Sequence, residues 1–259
     1  MIALLILVAT GLAAGAINAL AGGGTFLIFP ALLFFGGLAS VTANATASMV
    51  VLPGTLASAF VYRRTMIHFA PRMIVMLCVS AAAGAVVGSV LLLRTPNATF
   101  SGLVPWLLLG GTAVFSAAPW IRRKAGALSG HRSTLLLIVG QFAIGLYGGY
   151  FGAGMGVLMM ALYLTAANLG PQEIAGMRML SAGVINIIAV ALFAGRGALD
   201  YHFGAPMALA TLAGGYFGAK IIQRFDAEKV RLAVLVYAWA LTAYFFGRML
   251  LASSWFAAF

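Results

Sequence analysis

The chain has 259 residues, of which 7% are charged (15 Lys plus Arg against 4 Asp plus Glu) and 63% hydrophobic, with a mean hydropathy of +1.08. A soluble domain is typically about one quarter charged, because polar side chains must cover its outside, so this composition excludes a water-soluble fold and makes lipid the solvent. The net charge of +11 is no sign of nucleic acid, since most of the basic residues sit between apolar runs and no basic, aromatic-interleaved stretch occurs. The single Cys78 lies in an apolar run, which leaves no disulfide framework and no zinc cluster.

At about 20 apolar residues per spanning helix, the length holds about eight to ten membrane segments and no separate soluble domain. Apolar runs fall at about 2–20, 25–36, 43–62, 73–93, 102–120, 134–151, 156–168, 174–194, 205–222 and 231–250. Eight can span a bilayer as helices. The short ones, Thr25–Gly36 and Gly156–Asn168, each follow a glycine cluster and are expected to be half-helices after a chain break. The first run is apolar and followed by small residues, like a signal peptide. It lacks a basic leading region and has a counterpart in mid-chain, so it is kept as structure.

That counterpart exposes an internal repeat. Ala21-Gly22-Gly23-Gly24-Thr25 aligns with Ala153-Gly154-Met155-Gly156-Val157 at an offset of 132, and His68-Phe69 with His202-Phe203 at 134. Gly84-Ala85-Val86-Val87-Gly88 and Arg94 align with Gly214-Gly215-Tyr216-Phe217-Gly218 and Arg224 at 130. The expectation is one transmembrane domain over 1–259, all-α and polytopic, built from a first repeat at 1–125 and a second at 132–259. Each repeat holds four long helices and one short half-helix.

Loop charge orients the repeats. Arg63, Arg64 and Arg72 flank one loop, and Arg122, Arg123, Lys124 and Arg132 fill another two spans later, so both are cytoplasmic. In the second half Lys220, Arg224, Lys229 and Arg231 gather near Asp226 and Glu228, whereas 195–204 carries Arg196, Asp200 and His202. Placing 220–231 inside requires an odd number of crossings per half, with the short segment counted as one. The repeats are then inverted and both termini external. If the short segments do not cross, the repeats are parallel and both termini internal.

A broken backbone inside a bilayer is tolerated only where protein or a watery cavity satisfies its N–H and C=O groups. The N-terminus of the following half-helix carries about half a positive charge and free N–H groups, which suits an anion. Gly22, Gly23, Gly24 and Thr25 in the first half, with Gly154, Met155 and Gly156 in the second, are therefore candidate binding positions on a pseudo-symmetric midplane site. Close helix packing is the competing explanation for the glycines. Polar residues within apolar runs add candidates: Asn18 before the first break, Asn44, Thr46 and Ser48 in the following run, and Arg178, Ser181 and Asn186 in its second-half counterpart. Asn44 and Arg178 align at an offset of 134. A charge in a membrane helix costs about 2.5–3.5 kcal/mol on insertion scales, so Arg178 is expected to face a cavity or a partner. Glu173, five residues earlier, is badly spaced to pair with it. For the other polar residues, interhelical hydrogen bonding competes with substrate contact.

The remaining titratable residues fit simpler roles. His68 and His202 fall at loop ends and His131 in a basic loop, while all four acids lie at segment ends or in loops. No metal-ligand spacing and no nucleophile with a base is present, so no catalytic residue, metal or cofactor is expected. The lack of deep carboxylates argues against cation transport and leaves an anion. The glycine clusters lack the Gly-Lys-Ser/Thr ending of a phosphate loop.

The run from Gly15 to Pro30 (Gly-Ala-Ile-Asn-Ala-Leu-Ala-Gly-Gly-Gly-Thr-Phe-Leu-Ile-Phe-Pro), followed by Ala43-Asn44-Ala45-Thr46, resembles the first-half signature of the TauE/SafE sulfite-exporter family. The run from Gly176 to Asn186 (Gly-Met-Arg-Met-Leu-Ser-Ala-Gly-Val-Ile-Asn), ending at Gly197-Ala198-Leu199-Asp200-Tyr201, is similar to the matching second-half pattern, with a basic residue at the Arg178 position. The resemblance covers essentially the whole chain. It implies a bacterial inner-membrane transporter that exports sulfite, organosulfonates, other sulfur oxyanions or related small acids. Met155 in the second cluster, and Ala161 where the family pattern has a proline, depart from it and imply a narrower or more apolar second half-site. The expected partners are a small anion and the bilayer, with a coupling proton or ion and a second copy of the chain as further candidates. An anion channel, a small-carboxylate permease and a non-transporting assembly or sensor protein are the alternatives.

Overall fold

The computed structural model describes residues 2–66, 70–128, 134–167, 169–221 and 227–256. His68, Phe69, His131, Arg132, Asn168, Arg224 and Asp226, which figure in the sequence reading, lie outside the described residues. The described residues form ten α-helices and one short 3-10 turn, without strands. The helices are α1 (Ile2–Ala21), α2 (Thr25–Phe34), α3 (Ser40–Tyr62), α4 (Pro71–Arg94), α5 (Asn97–Leu128), α6 (Thr134–Tyr150), α7 (Met155–Ala166), α8 (Pro171–Gly195), α9 (Tyr201–Ile221) and α10 (Ala227–Phe256). The 3-10 turn, Arg63–Met66, follows α3.

The helices overrun the apolar runs at their N-termini. α4 and α8 begin at Pro71 and Pro171, where the missing N–H costs nothing because the first turn has no helical acceptor. α9 begins at Tyr201, so His202 sits in its first turn, exposed, with its ring 4.7 Å from that of Phe203. Six helices are long and apolar enough to cross a membrane, and α2, α6 and α7 are shorter apolar helices. Large side chains such as Leu5, Val75, Val79, Leu209 and Val236 are exposed, so the outer surface is apolar. This is an all-α, multi-pass membrane protein.

Small residues decide which helices touch. A Cβ on Gly88 of α4 would sit 2.0 Å from the Leu146 carbonyl of α6, and one on Gly214 of α9 would sit 2.1 Å from the Leu12 carbonyl of α1. With no hydrophobic drive between helices in lipid, such backbone approach and interhelical hydrogen bonds supply the attraction. α4 accordingly packs most extensively on α6, and α9 on α1. Ser80 and Ser89 of α4 donate to Ile138 and Gly149 at 2.6 and 3.3 Å, an ascending order that makes α4 and α6 parallel. Gly11 and Gly15 of α1 meet Met207 and Thr211 of α9 in the same ascending order. α3 is also parallel to α9, with Thr211 donating to the Val50 carbonyl and Ser58 to that of Gly215.

α3 and α8 run antiparallel. At one end the Thr65 hydroxyl donates to the Gln172 carbonyl at 3.2 Å, and at the other the Asp200 N–H donates to Thr46 Oγ1 at 2.9 Å. The start of α3 is fastened to that of α5 by Asn97, which accepts from the Val41 N–H at 3.1 Å, and by a 2.8 Å bond from Ser101 to Ser40. The basic ends of α3 and α9 lie together, since Arg63, Arg64 and Lys220 line one pocket.

Candidate functional site

The glycine clusters sit between α1 and α2 and between α6 and α7. Gly22 has φ +73° and Gly154 φ +79°, a left-handed backbone open to glycine at little cost and costly to other residues. Each reverses the chain so that a short helix starts afresh. The two breaks touch: a Cβ on Gly22 would lie 2.9 Å from Gly156 Cα, and one on Gly156 would lie 2.8 Å from Gly22 Cα. The Gly22 N–H donates to the Asn18 carbonyl at 3.1 Å, so Gly22 closes the end of α1, and the first break meets the first turn of α7 with their backbones in direct contact.

Arg178 enters this contact from α8. It is only 3% exposed, and its Nη2 donates to the Ala19 carbonyl at 3.1 Å, while Nη1 lies 3.3 Å from the point where a Cβ on Gly22 would stand. The last carbonyls of a helix have no partner within it, and in lipid they have no water either. A cation at that end also opposes the negative pole of the helix. Arg178 thus satisfies the broken end of α1. Glu173 accepts from the Gly170 N–H at 2.7 Å at the start of α8.

Asn44 makes the corresponding contact at the second break. Its Nδ2 donates to the Tyr150 carbonyl at 2.9 Å, at the last residue of α6, while its buried Oδ1 has no hydrogen-bond partner among the described residues. Asn18 is tied across to α3 through Thr55 Oγ1 at 3.1 Å. Gly24 packs so closely on α1 that a Cβ there would meet the Ala14 carbonyl at 2.5 Å, and Gly23 faces Val234. Thr25 is buried at the first residue of α2. The structure thus gathers Gly22, Gly156, Arg178 and their neighbours at one point, with Asn44 on the partner break.

Other sequence candidates are held elsewhere. Thr46 accepts from the Asp200 N–H and anchors the approach to α9. Ser48 bonds the Asn44 carbonyl and Asn186 that of Ala182, each within its own helix. Ser181 belongs to a separate buried cluster, in which the Tyr163 hydroxyl lies 2.9 Å from Gln141 Oε1 and 2.9 Å from Ser181 Oγ. Gln141 is fully buried and its Nε2 lacks a partner among the described residues. Met155 turns away from the break onto α6, where its Sδ lies 2.7 Å from the point where a Cβ on Gly148 would stand. Ala161 leaves α7 unbroken, and its carbonyl accepts from Thr165 at 2.9 Å.

The structure adds Gln141, Tyr147 and Tyr163 to the residues that the sequence singles out. The Tyr147 hydroxyl donates to the Ala153 carbonyl at 2.6 Å, inside the second break. A signal for the other two was present in the repeat: at offsets of 132 and 134, Gln141, Tyr163 and Ser181 align with Ala9, Ala31 and Ala47. Among the described residues no three His, Cys, Asp or Glu side chains come together as a metal site.

Comparison with known proteins agrees with this architecture. The chain is 26% identical over 257 residues to a probable membrane transporter protein of Haemophilus influenzae, covering 98% of this chain and 96% of the relative. It is 27% identical over 235 residues to the probable membrane transporter protein ORF9 of a Sinorhizobium species, covering 88% and 86%. The profile of the family described as sulfite exporter TauE/SafE matches residues 7–245, and the chain belongs to that family of membrane transporters.

Proposed function

We propose that the protein is a secondary transporter of the bacterial inner membrane that exports a small anion: sulfite, an organosulfonate or another sulfur oxyanion. The observation that carries this reading is the apposition of Gly22 and Gly156, which brings the two chain breaks, each followed by a half-helix, together beside the Arg178 guanidinium. Two positive helix ends and one cation in a water-poor interior favour an anion of low charge, and the matched family's description names sulfite.

The antiparallel course of α3 and α8 supports reading 1–125 and 132–259 as inverted repeats. On that reading α2 leads from the breaks toward one membrane face and α7 toward the other. The breaks touch in this structure, so an anion enters only when they part. Parting on the α7 side opens the site to the cytoplasm, and parting on the α2 side opens it outward. Gly23, Gly24 and Thr25, with Gly154 and Gly156, supply backbone N–H groups, Arg178 supplies charge, and Asn18 and Asn44 position the two breaks.

Purified protein in liposomes tests the reading, with flux measured for sulfite, sulfonates, thiosulfate, sulfate and small carboxylates, with and without a pH gradient. The expected result is saturable transport of a sulfur oxyanion that accelerates when a gradient is imposed. Flux that never saturates points to a channel and sinks alternating access. Absence of movement for every anion sinks the transporter reading.

A further inference from the structure

We propose that the pocket between the ends of α3 and α9 is a binding site for the phosphate of an anionic phospholipid in the cytoplasmic leaflet. It is an open pocket of about 330 Å³ lined by Phe60, Val61, Arg63, Arg64, Tyr216 and Lys220. Three cations line it from segments more than 150 residues apart, and no acid is among the described lining residues.

The described neighbours that hold Arg63 and Lys220 are neutral. Arg63 donates to the Phe60 carbonyl at 2.7 Å and lies 3.8 Å over the Phe60 ring, and Lys220 donates to the Tyr216 hydroxyl at 2.5 Å. These contacts orient the charges without cancelling them. Scattered basic residues at a cytoplasmic boundary follow from insertion alone. Three that line one pocket go further, because like charges brought together repel and an anion among them relieves that repulsion.

The walls favour a lipid over a free ion. Phe60 is 58% exposed, and one turn deeper on the same helix faces lie Leu56 and Leu212, also exposed. A phosphodiester held by Arg64 and Lys220 would lay its acyl chains along these side chains. The negative surface potential of the inner leaflet concentrates such lipids at this end of the bundle.

The test is native mass spectrometry of the intact, detergent-purified protein with equal amounts of phosphatidylglycerol and phosphatidylcholine. Phosphatidylglycerol adducts should dominate in the wild type. They should fall about fivefold for each basic side chain removed in Arg64→Gln and Lys220→Gln. Arg94→Gln, at the far end of α4, should retain them, and thermal unfolding of each variant checks that it folds. Equal retention of both lipids by the wild type, or undiminished phosphatidylglycerol in the double variant, overturns the proposal. So does inorganic phosphate that displaces the lipid at equal concentration, since the site would then take a soluble anion.

Discussion

Asn44 and Arg178, aligned at an offset of 134, tie off the two broken helices reciprocally: Asn44 of α3 donates to the Tyr150 carbonyl that ends α6, and Arg178 of α8 donates to the Ala19 carbonyl near the end of α1. Each break thus depends on a helix from the opposite half of the chain. The two clamps differ in charge, so the side-chain cation at the junction comes from the second half.

Arg178→Ala removes that clamp and that charge together. An unsatisfied buried carbonyl costs about 1–3 kcal/mol, and losing about 1.4 kcal/mol of anion stabilisation costs tenfold in binding. We expect lower thermal stability and at least a tenfold drop in anion flux, with Arg178→Lys intermediate in both. Asn44→Ala should lower stability by a similar amount with a smaller change in substrate KM. Wild-type flux in a properly inserted Arg178→Ala protein would falsify the charge role.

The contact between the breaks predicts a graded response to added methyl groups. At Gly37, φ is +64° and nothing lies within 4 Å of a Cβ, so Gly37→Ala should cost only the left-handed strain of about 1–2 kcal/mol. Gly22→Ala carries the same strain and places its methyl 2.9 Å from Gly156 Cα. It should be distinctly less stable than Gly37→Ala and should abolish transport. Comparable unfolding temperatures for the two variants would show that the breaks do not pack as described.

The buried cluster of Gln141, Tyr163 and Ser181 invites a double-mutant cycle. Tyr163→Phe leaves the Gln141 amide and Ser181 hydroxyl without their shared partner and should cost about 1–3 kcal/mol. Gln141→Leu in that background removes the stranded amide and should recover part of the loss, because replacing both polar partners is cheaper than stranding one. Strict additivity of the two changes would show that the bond contributes no coupling.

Helix packing can be tested away from the site. Gly88→Ala puts a methyl 2.0 Å from the Leu146 carbonyl and should force α4 from α6 or prevent stable insertion. Gly102 is exposed on α5 with nothing within 4 Å of a Cβ, so Gly102→Ala should raise stability by about 0.5–1 kcal/mol. Expression level and thermal unfolding in detergent read both.

Much of the architecture was legible because the signals are local. All ten apolar runs became helices, with ends displaced by a few residues where Pro71, Pro171 and Tyr201 start a helix earlier than hydropathy suggests. Gly22 and Gly154 announced breaks because a left-handed turn between apolar runs has few other residue choices. Thr46, Ser181 and Asn186 were marked as unusual by polarity alone, and polarity does not tell a hydrogen bond to a neighbouring helix from a bond to a substrate. Gln141 and Tyr163 escaped because either can pass for an interfacial residue until its neighbours are known.

The sequence by itself determined the solvent, the helical segments and the places where helices break, since composition, hydropathy and glycine placement act through nearest neighbours along the chain. Only the tertiary structure decided that α1 lies on α9 and α4 on α6, because that choice rests on carbonyls and glycine Cα atoms meeting at near-contact distance across the bundle. It also decided the partner of Arg178. A guanidinium buried in lipid must find an acceptor, and which one it finds depends on how α8 crosses α1, 159 residues away along the chain.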